Sequence, residues 1–108
     1  PQAMDVHPAQ PMPLHSARIA EFAMTHGIAT MGPTGRSVRD GHLMNYGPDQ
    51  QEALRRTAYF VDRILRGAAP SDLPVELITF RLTINLKTAR ALGIRVPSSI
   101  LARADEVI

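Results

Sequence analysis

The chain has 108 residues, of which 44% are apolar and 20% charged, with a net charge of +2. That length allows one small domain with a modest core, and so small a charge surplus gives no reason to expect a polyanionic partner. Cysteine is absent, which excludes disulfides and thiolate metal sites in this chain, and no apolar run approaches the ~20 residues of a membrane span.

Residues 1–14 hold four of the nine prolines, at positions 1, 8, 11 and 13. Proline fixes φ and removes a donor, so this stretch is predicted to be an irregular or extended arm, with the folded part running over 15–108. The sequence starts at Pro1 rather than Met and lacks the basic-then-apolar pattern of a signal peptide, so it is read as beginning inside a longer protein. Ser16 stands at an N-cap position before Ile19, Ala20, Phe22 and Ala23 on one helical face, and Gly27 suits the C′ position. Residues 28–31 form a short apolar run expected to be a buried strand. Gly32, Pro33, Thr34 and Gly35 then dictate a turn. A second short strand is predicted over 42–46, with His42, Met44 and Tyr46 on one face and Leu43 and Asn45 on the other.

The spacing of Leu54, Ala58, Val61 and Leu65, widened by Phe60 and Ile64, predicts an amphipathic helix over 49–66. Asp49 and Glu52 suit its first turn, Arg63 and Arg66 its last, and Gly67 stops it. Glu52 with Arg56, and Asp62 with Arg66, are spaced as i,i+4 ion pairs. Its apolar face calls for a sheet to cover it. After a polar link over 68–74, Ile78, Phe80, Leu82, Ile84 and Leu86 alternate with polar residues as a long strand. Asn85 can cap a helix over 87–92, and Pro97-Ser98-Ser99 opens a last helix that takes in Ala104 and the adjacent Asp105-Glu106. Helices and strands alternate throughout, which makes the class α/β.

No motif in the chain supports catalysis. The 28–37 stretch has the outline of a phosphate loop, but Thr30 stands where its first glycine belongs and Arg36 where its lysine belongs. His7, His15, His26 and His42 lack metal-ligand spacing, so neither a metal nor a cofactor is expected. The arginines at 55, 56, 63 and 66 are interleaved with Glu52 and Asp62 and read as a solvated helix face, so no nucleic-acid partner is expected. Tyr46 stands apart: it ends a strand beside Gly47-Pro48, where α/β folds present side chains to ligands. A packed tyrosine with its hydroxyl at the surface is the other reading of that residue.

A series of blocks at matching spacing carries a resemblance. They are Leu43-Met44-Asn45-Tyr46-Gly47-Pro48, Arg55-Arg56-Thr57-Ala58, and Val61-Asp62-Arg63-Ile64-Leu65-Arg66-Gly67. Further on come Ile84-Asn85-Leu86-Lys87-Thr88-Ala89 and Pro97-Ser98-Ser99-Ile100-Leu101-Ala102-Arg103-Ala104-Asp105-Glu106-Val107-Ile108. Over residues 15–108 the chain resembles the bacterial ABC transporter substrate-binding proteins, which have a type I periplasmic binding protein fold. Their length is about three times this one, so the resemblance implies the C-terminal fragment of a two-lobed α/β protein. It implies residues 16–31 and the segment from about Leu82 onward in one lobe, and the 49–66 helix in the other. The strands around 42–46 and 77–82 would be hinge crossings.

The resemblance further implies a small organic solute, an amino acid among the candidates, held between the lobes and passed to an ABC transporter permease by an exported, periplasmic or cell-surface receptor. It marks Tyr46 and its neighbour Asn45 on the crossing strand, and Gly32, Pro33 and Thr34 in the opposite wall, as ligand-binding residues. The chain departs from the family at that wall, where Pro33-Thr34-Gly35-Arg36-Ser37 replaces an aromatic and often acidic stretch. The alternative reading is a small interaction module that dimerises through its exposed apolar helix face.

Overall fold

The structure, a computed structural model, describes residues 2–108. In chain order it contains β1 (Ala3–Asp5), α1 (Ser16–Thr25), β2 (Ala29–Met31), β3 (Met44–Pro48), α2 (Gln50–Leu65), β4 (Phe80–Ile84), α3 (Leu86–Ala91), α4 (Ser98–Leu101) and β5 (Glu106–Val107). Short 3-10 turns lie at Met12–His15, Arg36–Asp40 and Pro70–Asp72. These elements divide into two compact units. One holds the residues up to Gly47 together with Arg81–Ile108, and the other is Pro48–Phe80. The chain therefore leaves the first unit at the end of β3 and returns at the start of β4, beside the two crossings expected from the sequence.

The first unit is a sheet of five strands in the order β1-β2-β3-β4-β5. β1 with β2, β2 with β3, and β4 with β5 run parallel. α1 lies between β1 and β2 in sequence and turns Ser16, Ala20 and Ala23 inward at spacings of four and three, the period of one helical face. Gly27 adopts φ +65° after the His26 cap, the left-handed turn expected of a C′ glycine. The apolar core is assembled from small and branched residues: Val6, Ala20, Ala23, Ile28, Val38, Ile84 and Ala89 are all buried.

Five expectations about the placement of elements need correction. The proline-rich arm is not irregular throughout, because Ala3–Asp5 pairs in register with Ala29, Thr30 and Met31. No proline interrupts residues 2–7, so their amides are free to pair, and the Val6 amide donates to the Met31 carbonyl at 2.9 Å. Ser16 does not cap α1: it is already helical (φ −50°, ψ −48°), because the turn at Met12–His15 runs straight into the helix. The last helix stops at Leu101, and Glu106 lies in a strand instead, paired across from Thr83. There the Asp105 carboxylate accepts the Leu82 amide at 2.7 Å, and the Ile108 amide reaches the Ile84 carbonyl at 2.8 Å. Finally, the long strand predicted over 78–86 is confined to Phe80–Ile84, and the second short strand starts at Met44 rather than at His42.

The second unit is built around α2. Asp49 takes the N-cap position, its Oδ1 accepting the amides of Gln51 at 3.0 Å and Glu52 at 3.1 Å. The expected Asp62–Arg66 pair forms at 2.9 Å. Arg56 does not pair with Glu52 as expected. Its guanidinium binds the Glu76 carboxylate, with Nε at 2.7 Å from Oε2, and lies 4.2 Å from the centre of the Tyr59 ring. That pairing holds the Glu76 carboxyl below the usual carboxylate range and raises the Arg56 guanidinium. No residue of α2 is buried: Leu54 and Leu65 are 71% and 82% exposed. The stripe read from the sequence is present and uncovered, and Val75 and Leu77 beyond it are also fully open to solvent.

Asp49→Ala should destabilise the second unit by about 1 kcal/mol, because two helix amides lose their acceptor. Thermal unfolding followed by helical circular dichroism measures this. An unchanged midpoint would mean that the cap contributes nothing.

Candidate ligand-binding site

In parallel sheets, ligands gather where the strands end at their carboxyl side. β1, β2 and β3 are mutually parallel neighbours, so residues following Asp5 and Met31 share an edge with the end of β3. Two of the segments singled out in the sequence, the 32–35 loop and Asn45-Tyr46, lie at that edge.

The loop is held by local chemistry at every turn. The Gly32 amide donates to the Met44 carbonyl at 2.8 Å, which continues the β2–β3 ladder past the end of β2. A Cβ on Gly32 would lie 2.3 Å from Ser37 Oγ and 2.9 Å from His42 Cγ, so only glycine fits there without displacing both side chains. Thr34 Oγ1 accepts the Ser37 amide and Ser37 Oγ accepts the Thr34 amide, both at 3.2 Å. This reciprocal pair brackets Gly35, the N-cap of the 3-10 turn at Arg36–Asp40, in the manner of a capping box.

Asn45, one position before Tyr46 on β3, is buried, and its Nδ2 donates to the Gly32 carbonyl at 2.8 Å. Tyr46 points the other way by strand alternation and is 58% exposed. Of the five residues expected to contact ligand, Tyr46 therefore presents the most surface. Thr34 is half-buried, while Gly32, Pro33 and Asn45 are buried. The structure brings Gly32 and Asn45 into direct contact.

Beneath the loop lies His42, fully buried. Its Nε2 is 3.2 Å from the Ser16 carbonyl, which can only accept, so Nε2 carries the proton. Nδ1 is then the acceptor for the Thr30 hydroxyl at 2.9 Å. Burial pushes this imidazole below its ordinary pKa, against the opposing effects of the Ser16 hydrogen bond and the charge of Asp40. The ring ties the start of α1 to β2 in its neutral form.

Three more side chains complete the support, and of their roles only the capping by Asn85 was read from the sequence. Asn85 does cap α3 as expected, its Oδ1 accepting the Thr88 amide at 3.1 Å. Its Nδ2 has a second task, donating to the Val38 carbonyl at 2.9 Å. Thr88 Oγ1 donates to the Gly41 carbonyl at 3.0 Å, and Ser37 closes the loop as described. The 47-residue separation of the Asn85–Val38 and Thr88–Gly41 contacts leaves no local sequence signal for them. Two open concavities also occur, one along β1–β3 lined by Met4, Thr30 and Met44, the other in the second unit along α2 lined by Arg56, Phe60 and Ile78. Among the described residues no three His, Cys, Asp or Glu side chains gather as a metal site, and no helix is long and apolar enough to cross a membrane.

The parallel strands β1–β3 thus carry a tightly held loop and an exposed aromatic, Tyr46, at their carboxyl edge. The model of the family described as ABC transporter substrate binding protein matches residues 18–108, and the chain belongs to that family. Among solved structures it is similar to a conserved domain protein from Vibrio cholerae, with 25% identity and a TM-score of 0.87 over 99% of this chain. It is also similar to an ABC domain from Streptococcus pneumoniae in complex with L-Trp, with 27% identity and a TM-score of 0.88 over 99% of this chain. A ligand-free, open substrate-binding protein with adhesive properties from Clostridium difficile shares the fold, at 21% identity and a TM-score of 0.62 over 97% of this chain. The chain spans 36%, 37% and 35% of those three chains, about a third of their length. It is a fragment of a periplasmic binding protein-like fold. No curated protein matches the chain.

The tautomer of His42 gives a pH dependence with a definite sign. The folded state disfavours protonation relative to the unfolded chain, so the unfolded chain binds the extra proton as pH falls below about 6.5. The stability contribution of His42 should be full above that value and be lost progressively as pH falls below it, until the folded-state imidazole also protonates. Denaturant midpoints at several pH values would read this, and in His42→Gln the same stretch of the profile should flatten. An identical slope in the variant would assign the effect to other groups.

Proposed function

We propose that the complete protein captures a small organic solute between two lobes and delivers it to an ABC transporter permease, as an exported, non-catalytic receptor. The observation that carries this reading is the family match over residues 18–108, together with an exposed Tyr46 and a tightly supported glycine loop at the carboxyl edge of the sheet. The pneumococcal relative in complex with L-Trp supports an amino acid, an aromatic one first, as the solute class. Tyr46 would stack on the solute from the crossing strand, and residues 32–34 would line the facing wall mostly through backbone groups. The uncovered face of α2 supports the same reading, because a chain about a third of its relatives' length lacks the segments that would complete a second lobe. Dimerisation of a stand-alone module is the competing account of that face.

Calorimetry on the full-length receptor with L-tryptophan and the other standard amino acids tests the proposal. One of them should bind, and Tyr46→Ala should raise its Kd about tenfold, a loss of ~1.4 kcal/mol. Wild-type affinity in Tyr46→Ala would remove Tyr46 from the site, and a receptor that binds none of the panel would remove the amino-acid reading.

A further inference from the structure

Asn45 was expected to touch the ligand, and its geometry points elsewhere. Its side chain is only 7% exposed, and its amide nitrogen donates to the Gly32 carbonyl at 2.8 Å. Its oxygen faces two more glycines: a Cβ on Gly47 would come within 3.2 Å of Asn45 Oδ1, and a Cβ on Gly35 within 3.8 Å. The amide thus occupies a slot whose walls are Gly32, Gly35 and Gly47, with Thr83 Oγ1 3.5 Å from the Cβ position of Gly35. The next residue along β3 is Tyr46, facing out. We propose that Asn45 is a positioning residue: by clamping the Gly32 carbonyl to β3 it presets the 32–35 loop relative to Tyr46 for the solute, without contacting the solute itself.

Gly32 and Gly35 have wide backbone freedom, and a loop carrying two glycines pays an ordering cost when a ligand fixes it. A buried amide donor that takes the Gly32 carbonyl removes that freedom before the solute arrives. Losing the donor leaves a buried carbonyl without its side-chain partner, which costs more than the bond contributes while formed. Asn45→Asp keeps the shape and replaces the donor with an acceptor, so it turns attraction into repulsion at this one carbonyl.

The inference rests on the proposed solute-binding role of this edge, and two readouts in the full-length receptor separate the two ideas. In the ligand-free protein, hydrogen exchange at the Gly32 and Thr34 amides should accelerate about tenfold in Asn45→Asp, while β1 and α2 amides keep their wild-type rates. With the amino acid that binds the wild-type receptor, Kd should rise about tenfold in Asn45→Asp. Thr88→Val, which removes the buried hydroxyl bond to Gly41 at the far end of the same connection, should lower thermal stability and leave Kd unchanged. Unchanged loop exchange in Asn45→Asp overturns the inference whether or not a solute is found. Accelerated exchange with unchanged Kd overturns it too, because the clamp would then have no bearing on binding. Equal loss of affinity in Thr88→Val would reduce Asn45 to a general stabiliser. A wild-type receptor that binds no panel member counts against the solute reading, and the exchange experiment still decides the clamp.

Discussion

The carbonyls of Gly32, Val38 and Gly41 turn inward along the connection between β2 and β3, and each is taken by a side chain from a neighbouring element. Asn45 reaches back from β3, Asn85 from the entry to α3, and Thr88 from the first turn of α3. Buried backbone groups left unpaired would cost about 1–3 kcal/mol each. These donors spare the Gly32 and Gly41 carbonyls that cost, and Asn85 adds a second bond to the Val38 carbonyl, which also accepts the Gly41 amide at 3.2 Å. The attachment of α3 and of β3 to this connection runs through those bonds. Asn85 shows the economy of the arrangement, since one amide starts a helix with its oxygen and pins a distant turn with its nitrogen.

The first unit is consequently held by polar contacts as much as by apolar burial. Its buried polar side chains include Ser16, Thr30, Ser37, His42, Asn45, Thr83, Asn85 and Thr88, beside a core in which alanines are prominent. Nearly all these polar groups have partners, and Ser16 Oγ is the one buried side-chain atom among the described residues without one. Such a core gives up some hydrophobic free energy and gains directional contacts that suit one arrangement of the loop. The second unit shows the reverse. Its helix is well capped and its ion pairs are formed, yet its apolar stripe is open.

What could be read from the sequence follows the range of the interactions. α2, its stripe, its terminal glycine and the capping role of Asn85 are legible because each is specified within one or two turns of the residue concerned. The turn at residues 32–35 is legible for the same reason. β1 and β5 were missed because strands of three and two residues exist only through their partners, β2 and β4. Proline content masked the first, and the run of helix-forming residues before Asp105 masked the second. At the site, Tyr46 could be picked out by its place at a strand end. The burial of Asn45 and the double hydrogen bonding of His42 are properties of contacts made 13, 12 and 26 residues away, with no local pattern to reveal them.

The stacking of Arg56 over Tyr59 has a consequence for how this chain can be observed. The sequence has no tryptophan and two tyrosines, and these fall one to each unit: Tyr46 in the sheet unit and Tyr59 in the helical one. Tyr59 lies under a guanidinium with Phe60 edge-on beside it at 5.5 Å, whereas Tyr46 stands more than half open to solvent. The chain therefore carries two native optical labels in unlike surroundings. Phenylalanine in place of either tyrosine leaves the ultraviolet emission of the chain reporting on the other unit alone.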